Sequence, residues 1–290
     1  MGVEKIKRIL VIGAGVMGHG VALVAAQRGF DVSLVDLKDE FIEKGMSGIR
    51  GFLEGSLKRG KITQEEVDSA LARIQTSTDV DGEAAKADFV FEAIIENLKI
   101  KSELFARLNK ICRPEVIFAS NTSMLSVTEM GTASGRPELL IGMHWFNPPT
   151  LMRLVEIPVG KGTNQATIDT VVALTRKLGK EPFTCKDSPG FIVNRILNPW
   201  YNEGMNMLDE GVATAEAIDT AIKAGGGFRM GPLELRDLVG LDTALHATED
   251  LYQRLRNDKF KPPMGMRELV MAGKYGRKTG EGFYKYDQKN

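Results

Sequence analysis

The run Arg8-Ile9-Leu10-Val11-Ile12 leads straight into Gly13-x-Gly15-x-x-Gly18, and the Ala- and Val-rich stretch Val16 to Arg28 continues from the turn. The run has the length and β-branched content of a strand buried on both faces. Each glycine meets a different steric demand. Gly13 permits a tight turn, Gly15 lets backbone approach a ligand, and Gly18 lets a helix pack close on the strand. A second strand, Val32 to Val35, ends at Asp36. Together these make a strand–helix–strand unit of about thirty residues. A helix that begins at such a turn offers free N–H groups and the positive end of its dipole, so a diphosphate is expected there. Asp36 is placed to accept hydrogen bonds from both ribose hydroxyls and to repel a 2′-phosphate, which favours NAD over NADP; Lys38 blunts that preference. The expected cofactor contacts are Gly13, Gly15, Val16, Met17, Gly18 and Asp36. A turn of this kind could also serve FAD or hold no ligand.

The pattern continues as alternating strands and helices. Lys38 to Ile74 is polar and helical with a break at Gly60 to Thr63, and reads as an inserted helical hairpin. Further strands are expected at Ala87–Phe91, Val116–Ser120, Leu139–Met143, Arg153–Ile157 and Pro182–Cys185. Helices are expected at Lys99–Cys112 and Ala166–Leu178. After Lys186 the strand signal fades, and helical stretches are punctuated by Gly225-Gly226-Gly227 and Gly231-Pro232. A chain of 290 residues is long for one core, so two domains are expected. Residues 1–186 form a dinucleotide-binding domain and 187–290 an all-helical substrate and dimerisation domain. The fold class is α/β: a doubly wound, Rossmann-type, mostly parallel sheet with an inserted helical hairpin, followed by an all-α C-terminal domain.

Lys+Arg and Asp+Glu both number 38, so nothing global points to nucleic acid or to an anionic membrane. No apolar run approaches a membrane span, and Met1 to Arg8 lacks a signal-peptide core. Cys112 and Cys185 are far apart in the sequence and read as reduced thiols of a cytoplasmic protein. No cluster has metal-ligand spacing, so no metal is expected.

Acid–base chemistry centres on His144 in Ile-Gly-Met-His-Trp-Phe-Asn-Pro-Pro, with Glu156 closing the strand-like run that follows. Open α/β sheets bind ligands at the carboxyl ends of their strands, where His144 falls. A carboxylate accepting from one ring nitrogen would fix the tautomer and leave the other nitrogen to a substrate oxygen. The plainer alternatives are a satisfied histidine near a strand end and a solvated glutamate. Ser120-Asn121-Thr122-Ser123 ends another strand, and its hydroxyls suit an alcohol or carbonyl oxygen. Alternatively Ser123 or Ser126 caps the next helix. Asn194 is an amide among apolar neighbours, either an interdomain hydrogen bond or a site residue. His19 reads as structural and His246 as a packing or surface residue.

The motifs Val-Ile-Gly-Ala-Gly-Val-Met-Gly-His-Gly, Phe-Glu-Ala-Ile-Ile-Glu-Asn-Leu-Lys-Ile-Lys, Phe-Ala-Ser-Asn-Thr-Ser, Gly-Met-His-Trp-Phe-Asn-Pro-Pro, Lys-Asp-Ser-Pro-Gly-Phe-Ile-Val-Asn-Arg, Met-Gly-Pro-Leu-Glu-Leu and Gly-Arg-Lys-Thr-Gly-Glu-Gly-Phe-Tyr-Lys-Tyr run in order from Val11 to Tyr286. A chain carrying them resembles the L-3-hydroxyacyl-CoA dehydrogenase family, in particular its 3-hydroxybutyryl-CoA dehydrogenase-like branch. The resemblance implies His144 as catalytic base, Glu156 as its partner, and Ser123 and Asn194 holding the reacting oxygen. It implies Glu96, Lys101, Ser123 and Asn147 near the cofactor, Lys278 at the cofactor or the CoA, an acyl-CoA substrate, a role in fatty acid β-oxidation, and a homodimer formed through the helical domain. Phe52 stands where relatives carry a serine that meets the CoA phosphates, and Arg59 falls near their lysine. Trp145 and Arg153 stand where Phe and Lys would be expected; Arg153 could pair with a carboxylate on the acyl chain. A dehydrogenase of a free hydroxy acid or sugar acid, and a non-catalytic NAD-binding protein of the crystallin kind, are the alternative readings.

Overall fold

The structure, a computed structural model, describes residues 2–287. It divides after Phe191 into two compact units.

The first unit opens with β1 (Arg8–Ile12), α1 (Val16–Gln27) and β2 (Asp31–Val35). The inserted hairpin follows as α2 (Asp39–Lys58) and α3 (Gln64–Ala72). Thr63 caps α3 in a reciprocal box with Glu66, which satisfies two helix-end donors at once. Next come β3 (Ile74–Ser77), α4 (Val80–Ala84), β4 (Phe89–Glu92), α5 (Leu98–Asn109), β5 (Ile117–Ser120), α6 (Val127–Ser134) and β6 (Leu140–Gly142). These strands build a six-stranded sheet in the order β3-β2-β1-β4-β5-β6. All its pairings are parallel. Side chains alternate along each strand, and two cores result. Ile9, Val11, Val32, Leu34, Phe89 and Phe91 face α1 and the hairpin. Leu10, Ile12, Val35, Val90 and Phe118 face Phe105 and Leu108 of α5. Burial on both faces explains why the central strands are continuous apolar runs.

Two features depart from the sequence reading. The edge strand β3 is additional to the strands expected: only Ile74 of its Ile-Gln-Thr-Ser is buried, so it carries no apolar run. The later strands also do not extend the main sheet. β7 (His144–Trp145), β8 (Leu154–Val159) and β9 (Glu181–Lys186), with α7 (Gln165–Lys177) between the last two, form a separate three-stranded sheet. Met143 still donates to the carbonyl of Ser120 in the main sheet at 2.8 Å. At His144 the chain leaves that sheet and pairs antiparallel with β8.

The second unit is helical: α8 (Val193–Asp209), α9 (Ala215–Gly226), α10 (Pro232–Val239), α11 (Leu241–Leu255) and α12 (Met264–Met271). Met205, Ile218, Leu233, Leu241 and Met266 form its core. Two buried aspartates hold its connections. Asp219 accepts from the amides of Leu233 and Glu234 at the start of α10, at 3.0 and 2.8 Å. Asp237 accepts from the amides of Phe283 and Tyr284, each at 3.0 Å, and from the Tyr286 hydroxyl at 2.9 Å. Among the described residues no helix is long and apolar enough to cross a membrane.

Candidate active site and dinucleotide crevice

The strand order reverses between β1 and β4, and their carboxyl ends flank the crevice where open α/β sheets bind ligands. The three glycines there separate by cause. Gly13 has φ 101°, and a Cβ on it would stand 2.5 Å from the carbonyl oxygen of Ala93 beyond β4. A Cβ on Gly18 would stand 1.7 Å from the carbonyl oxygen of Gly13. Both positions are fixed by the protein's own packing. Gly15 differs: its φ of −62° suits any residue, and a Cβ there would meet nothing within 4 Å. Among the described residues nothing requires that glycine, which is the fit expected of a turn that a dinucleotide diphosphate lies against. The turn opens on a cavity of about 920 Å³, bordered also by Asp36, Leu37, Lys44, Ile94 and Leu104. Val16 and Met17 continue the turn; Val16 is exposed and lines the cavity, whereas Met17 packs on the core. Asp36 accepts from the amides of Ala14 and Leu37, each at 2.7 Å, so its carboxylate also shapes the turn. His19, read from the sequence as structural, lines the same cavity, where its ring fills the space a Cβ on Gly48 of α2 would need.

His144 and Glu156 are direct partners across β7 and β8. His144 Nδ1 lies 2.8 Å from Glu156 Oε2, and the residues are 6% and 1% exposed. With Glu156 ionised, Nδ1–H donates, and neutral imidazole presents Nε2 as an acceptor. Nε2 has no hydrogen-bond partner among the described residues. Phe146 and Phe191 pack on the ring, with centroids at 4.5 and 5.8 Å. Phe191 holds φ 47°, the left-handed region that costs a non-glycine residue about 1 kcal/mol or more. Cys185 on β9 neighbours the pair; burial, then the charges of Glu156 and Asp187, pushes its thiol up to about 11.

The ends of β4 and β5 carry a polar network centred on buried Glu92, a residue that the sequence analysis does not single out. Glu92 is fully buried and Lys101 is 1% exposed, with Lys101 Nζ donating to Glu92 Oε1 at 2.6 Å. Lys101 also lies 3.3 Å from Glu96 Oε2. Glu96 Oε1 accepts from the Thr122 hydroxyl at 2.7 Å and from the Ser123 amide at 2.8 Å. Burial pushes the Glu92 carboxyl above its ordinary range, opposed by Lys101, Ser120 and the Ile94 amide. The signal was present in Phe-Val-Phe-Glu: a carboxylate ending a strand buried on both faces needs internal partners.

Ser123 does not cap a helix. Ser126 does, accepting from the Glu129 amide at 3.2 Å. The Ser123 hydroxyl makes no hydrogen bond among the described residues. Asn121 Oδ1 accepts from the Trp145 amide at 3.0 Å, tying this turn to β7. Asn147 is exposed just beyond β7. Arg153 is paired with Glu181 on the surface. In the helical unit, Asn194 is half-buried in the first turn of α8, and Lys278 donates to Asp242 Oδ2 at 2.6 Å. Among the described residues no group of three or more His, Cys, Asp or Glu could hold a metal ion.

Residues 8–188 match the family model of the 3-hydroxyacyl-CoA dehydrogenase NAD-binding domain, and residues 190–286 that of the 3-hydroxyacyl-CoA dehydrogenase C-terminal domain. The chain is 49% identical to a probable 3-hydroxybutyryl-CoA dehydrogenase of Deinococcus radiodurans, over 95% of this chain and 99% of the relative. It is 45% identical to the mitochondrial hydroxyacyl-coenzyme A dehydrogenase of Sus scrofa, over 97% of this chain and 91% of the relative. It superposes with TM-score 0.94 and 43% identity on the crystal structure of (S)-3-hydroxybutyryl-CoA dehydrogenase from Ralstonia eutropha, covering 98% of this chain and 100% of that one. The chain therefore belongs to the 3-hydroxyacyl-CoA dehydrogenase family, with NAD as the cofactor of its first domain.

Proposed function

We propose that this chain transfers hydride between NAD(H) and C3 of a short-chain (S)-3-hydroxyacyl-CoA, with His144 as general acid and base and Glu156 as its partner. The observation that carries this reading is the buried His144–Glu156 pair with Nε2 left open. Bound nicotinamide supplies or accepts the hydride. The glycine turn and Asp36 would hold the dinucleotide, and Glu96, Lys101, Asn147 and Lys278 enter the reading through the family motifs that contain them. In the oxidative direction Nε2 takes the proton of the C3 hydroxyl as the carbonyl forms. The imidazolium so created keeps its Nδ1–H directed at Glu156, whose charge offsets it. In reduction the same nitrogen returns the proton to the developing alkoxide. The free hydroxyl of Ser123 orients the reacting oxygen; Asn194 enters the reading through the family motif that contains it. The short-chain preference follows the names of the relatives in Deinococcus radiodurans and Ralstonia eutropha. Arg153, engaged by Glu181, is not assigned to a carboxylated acyl chain.

His144→Gln is expected to lower kcat by about 10²- to 10⁴-fold while NADH still binds. Unchanged turnover would remove His144 from the reaction. Acetoacetyl-CoA and longer 3-ketoacyl-CoAs, offered with NADH and NADPH, test the substrate. An enzyme of a free hydroxy acid would be indifferent to the CoA portion. A cytoplasmic homodimer associating through the helical unit completes the proposal. Exposed Ile196, Val212, Leu238 and Val239 support it, and sedimentation velocity tests it.

A further inference from the structure

We propose that Glu92 is a positioning residue for the reaction, setting the place of Ser123 through Lys101 and Glu96. This rests on the reading above that Ser123 holds the substrate oxygen.

Glu92 ends β4, and its oxygens are fully engaged. Oε1 accepts from Lys101 Nζ at 2.6 Å and from the Ile94 amide at 2.7 Å. Oε2 accepts from the Ser120 hydroxyl at 2.6 Å. Its main-chain oxygen accepts from the Asn121 amide at 2.8 Å. Ser120 and Asn121 lead directly into the turn of Ser123, and Ile94 lines the cavity. Lys101, held by Glu92, reaches Glu96, and Glu96 accepts from the Ser123 amide. A chain of one hydrogen-bonded ion pair, one ion pair at 3.3 Å and one hydrogen bond thus runs from the end of β4 to the turn carrying the free Ser123 hydroxyl. Asn121, in the same turn, is bonded to the amide of Trp145, the residue after His144. The network therefore fixes Ser123 in the same frame as the catalytic imidazole.

Stability does not account for the pair. Desolvating a carboxylate and an ammonium costs several kcal/mol each, and apolar residues of equal volume commonly fill such a place at no loss. The buried part of the network, Glu92 with Lys101 and Ser120, is hydrogen-bonded and so specifies one arrangement from which exposed Glu96 is held. Two carboxylates share one ammonium here. Removing the charge of Glu92 leaves Lys101 to Glu96 alone, which draws Glu96 inward and loosens its hold on Thr122 and Ser123.

The test is a double-mutant cycle in acetoacetyl-CoA reduction, with kcat expressed per NADH-binding site so that unfolded protein does not count. Glu92→Gln should lower kcat by roughly 10- to 100-fold, the scale of a small misplacement at a reacting centre. The loss should fall on kcat more than on the KM for NADH, which is measured beside it because Glu96 and Lys101 also belong to the cofactor reading. In a Ser123→Ala background the same substitution should cost little, since its route of action is gone. Ser120→Ala, which removes one neutral donor, gives a milder variant with the same coupling should Glu92→Gln fold poorly. Additive losses, or an unchanged kcat in both Glu92→Gln and Ser120→Ala, would overturn the proposal. A silent Ser123→Ala would instead remove the reading of Ser123 on which it stands.

Discussion

At the scale of single residues, the protein buries a few ionisable groups where water cannot satisfy them and supplies partners from neighbouring segments. Glu156 is the clearest case. It faces His144 in register across two strands, so the pair is set by backbone pairing and not by flexible side chains. Glu156→Gln keeps the shape and removes the charge that offsets the imidazolium. We expect kcat to fall roughly 10- to 100-fold, the value of a hydrogen bond to a charged group, and the pH–rate profile to change. A profile and rate matching wild type would dissociate the two residues. The cysteines show the opposite design. Burial pushes Cys112 and Cys185 each up to about 11, so both are thiols at neutral pH. Native protein at pH 8 should react with iodoacetamide far more slowly than the unfolded chain. Equal rates would mean that one thiol is open and ionised.

At the scale of elements, the β1–α1 turn separates what the fold needs from what the ligand needs. Gly18→Ala puts a methyl group 1.7 Å from a carbonyl oxygen, so the helix must move off the strand. It should lower Tm and NADH affinity together. Gly15→Ala meets open space at a permitted φ, so the fold should keep its Tm while NADH binding is lost. Thermal melts beside NADH fluorescence titrations check both, and a Gly15→Ala protein that binds NADH normally would disprove the assignment. The turn was legible in the sequence because its spacing reports local geometry. The edge strand β3 was not, because one buried residue leaves no periodic signal.

At the scale of the whole molecule, the raised thiols link folding to alkaline pH. Their folded-state values lie above the unfolded reference of 9.0. Between pH 9 and 11 the unfolded chain therefore holds fewer protons than the native one, and stability falls as pH rises through that window. Tyr201, Tyr284 and Tyr286, raised chiefly by burial, extend the loss upward. Lys180, lowered by burial, opposes it. Urea midpoints should drop from pH 9 to 11, and less so in a Cys112→Ala/Cys185→Ala protein; an equal drop in both would exclude the thiols as the source.

The sequence alone determined the Rossmann-type sheet, the hairpin after β2 and the helical C-terminal third, and it singled out His144, Glu156 and Asp36 as candidates. Each of these follows from local pattern: apolar runs, glycine spacing, a polar group at a strand's carboxyl end. Tertiary structure decided what depends on which segments meet. It moved Leu154–Val159 and Glu181–Lys186 into a second sheet, engaged Arg153 with Glu181, and turned Lys101 inward to a buried Glu92. Pairing between residues far apart in the chain leaves no periodicity in either partner, so it is fixed only when the packed strands bring their ends together.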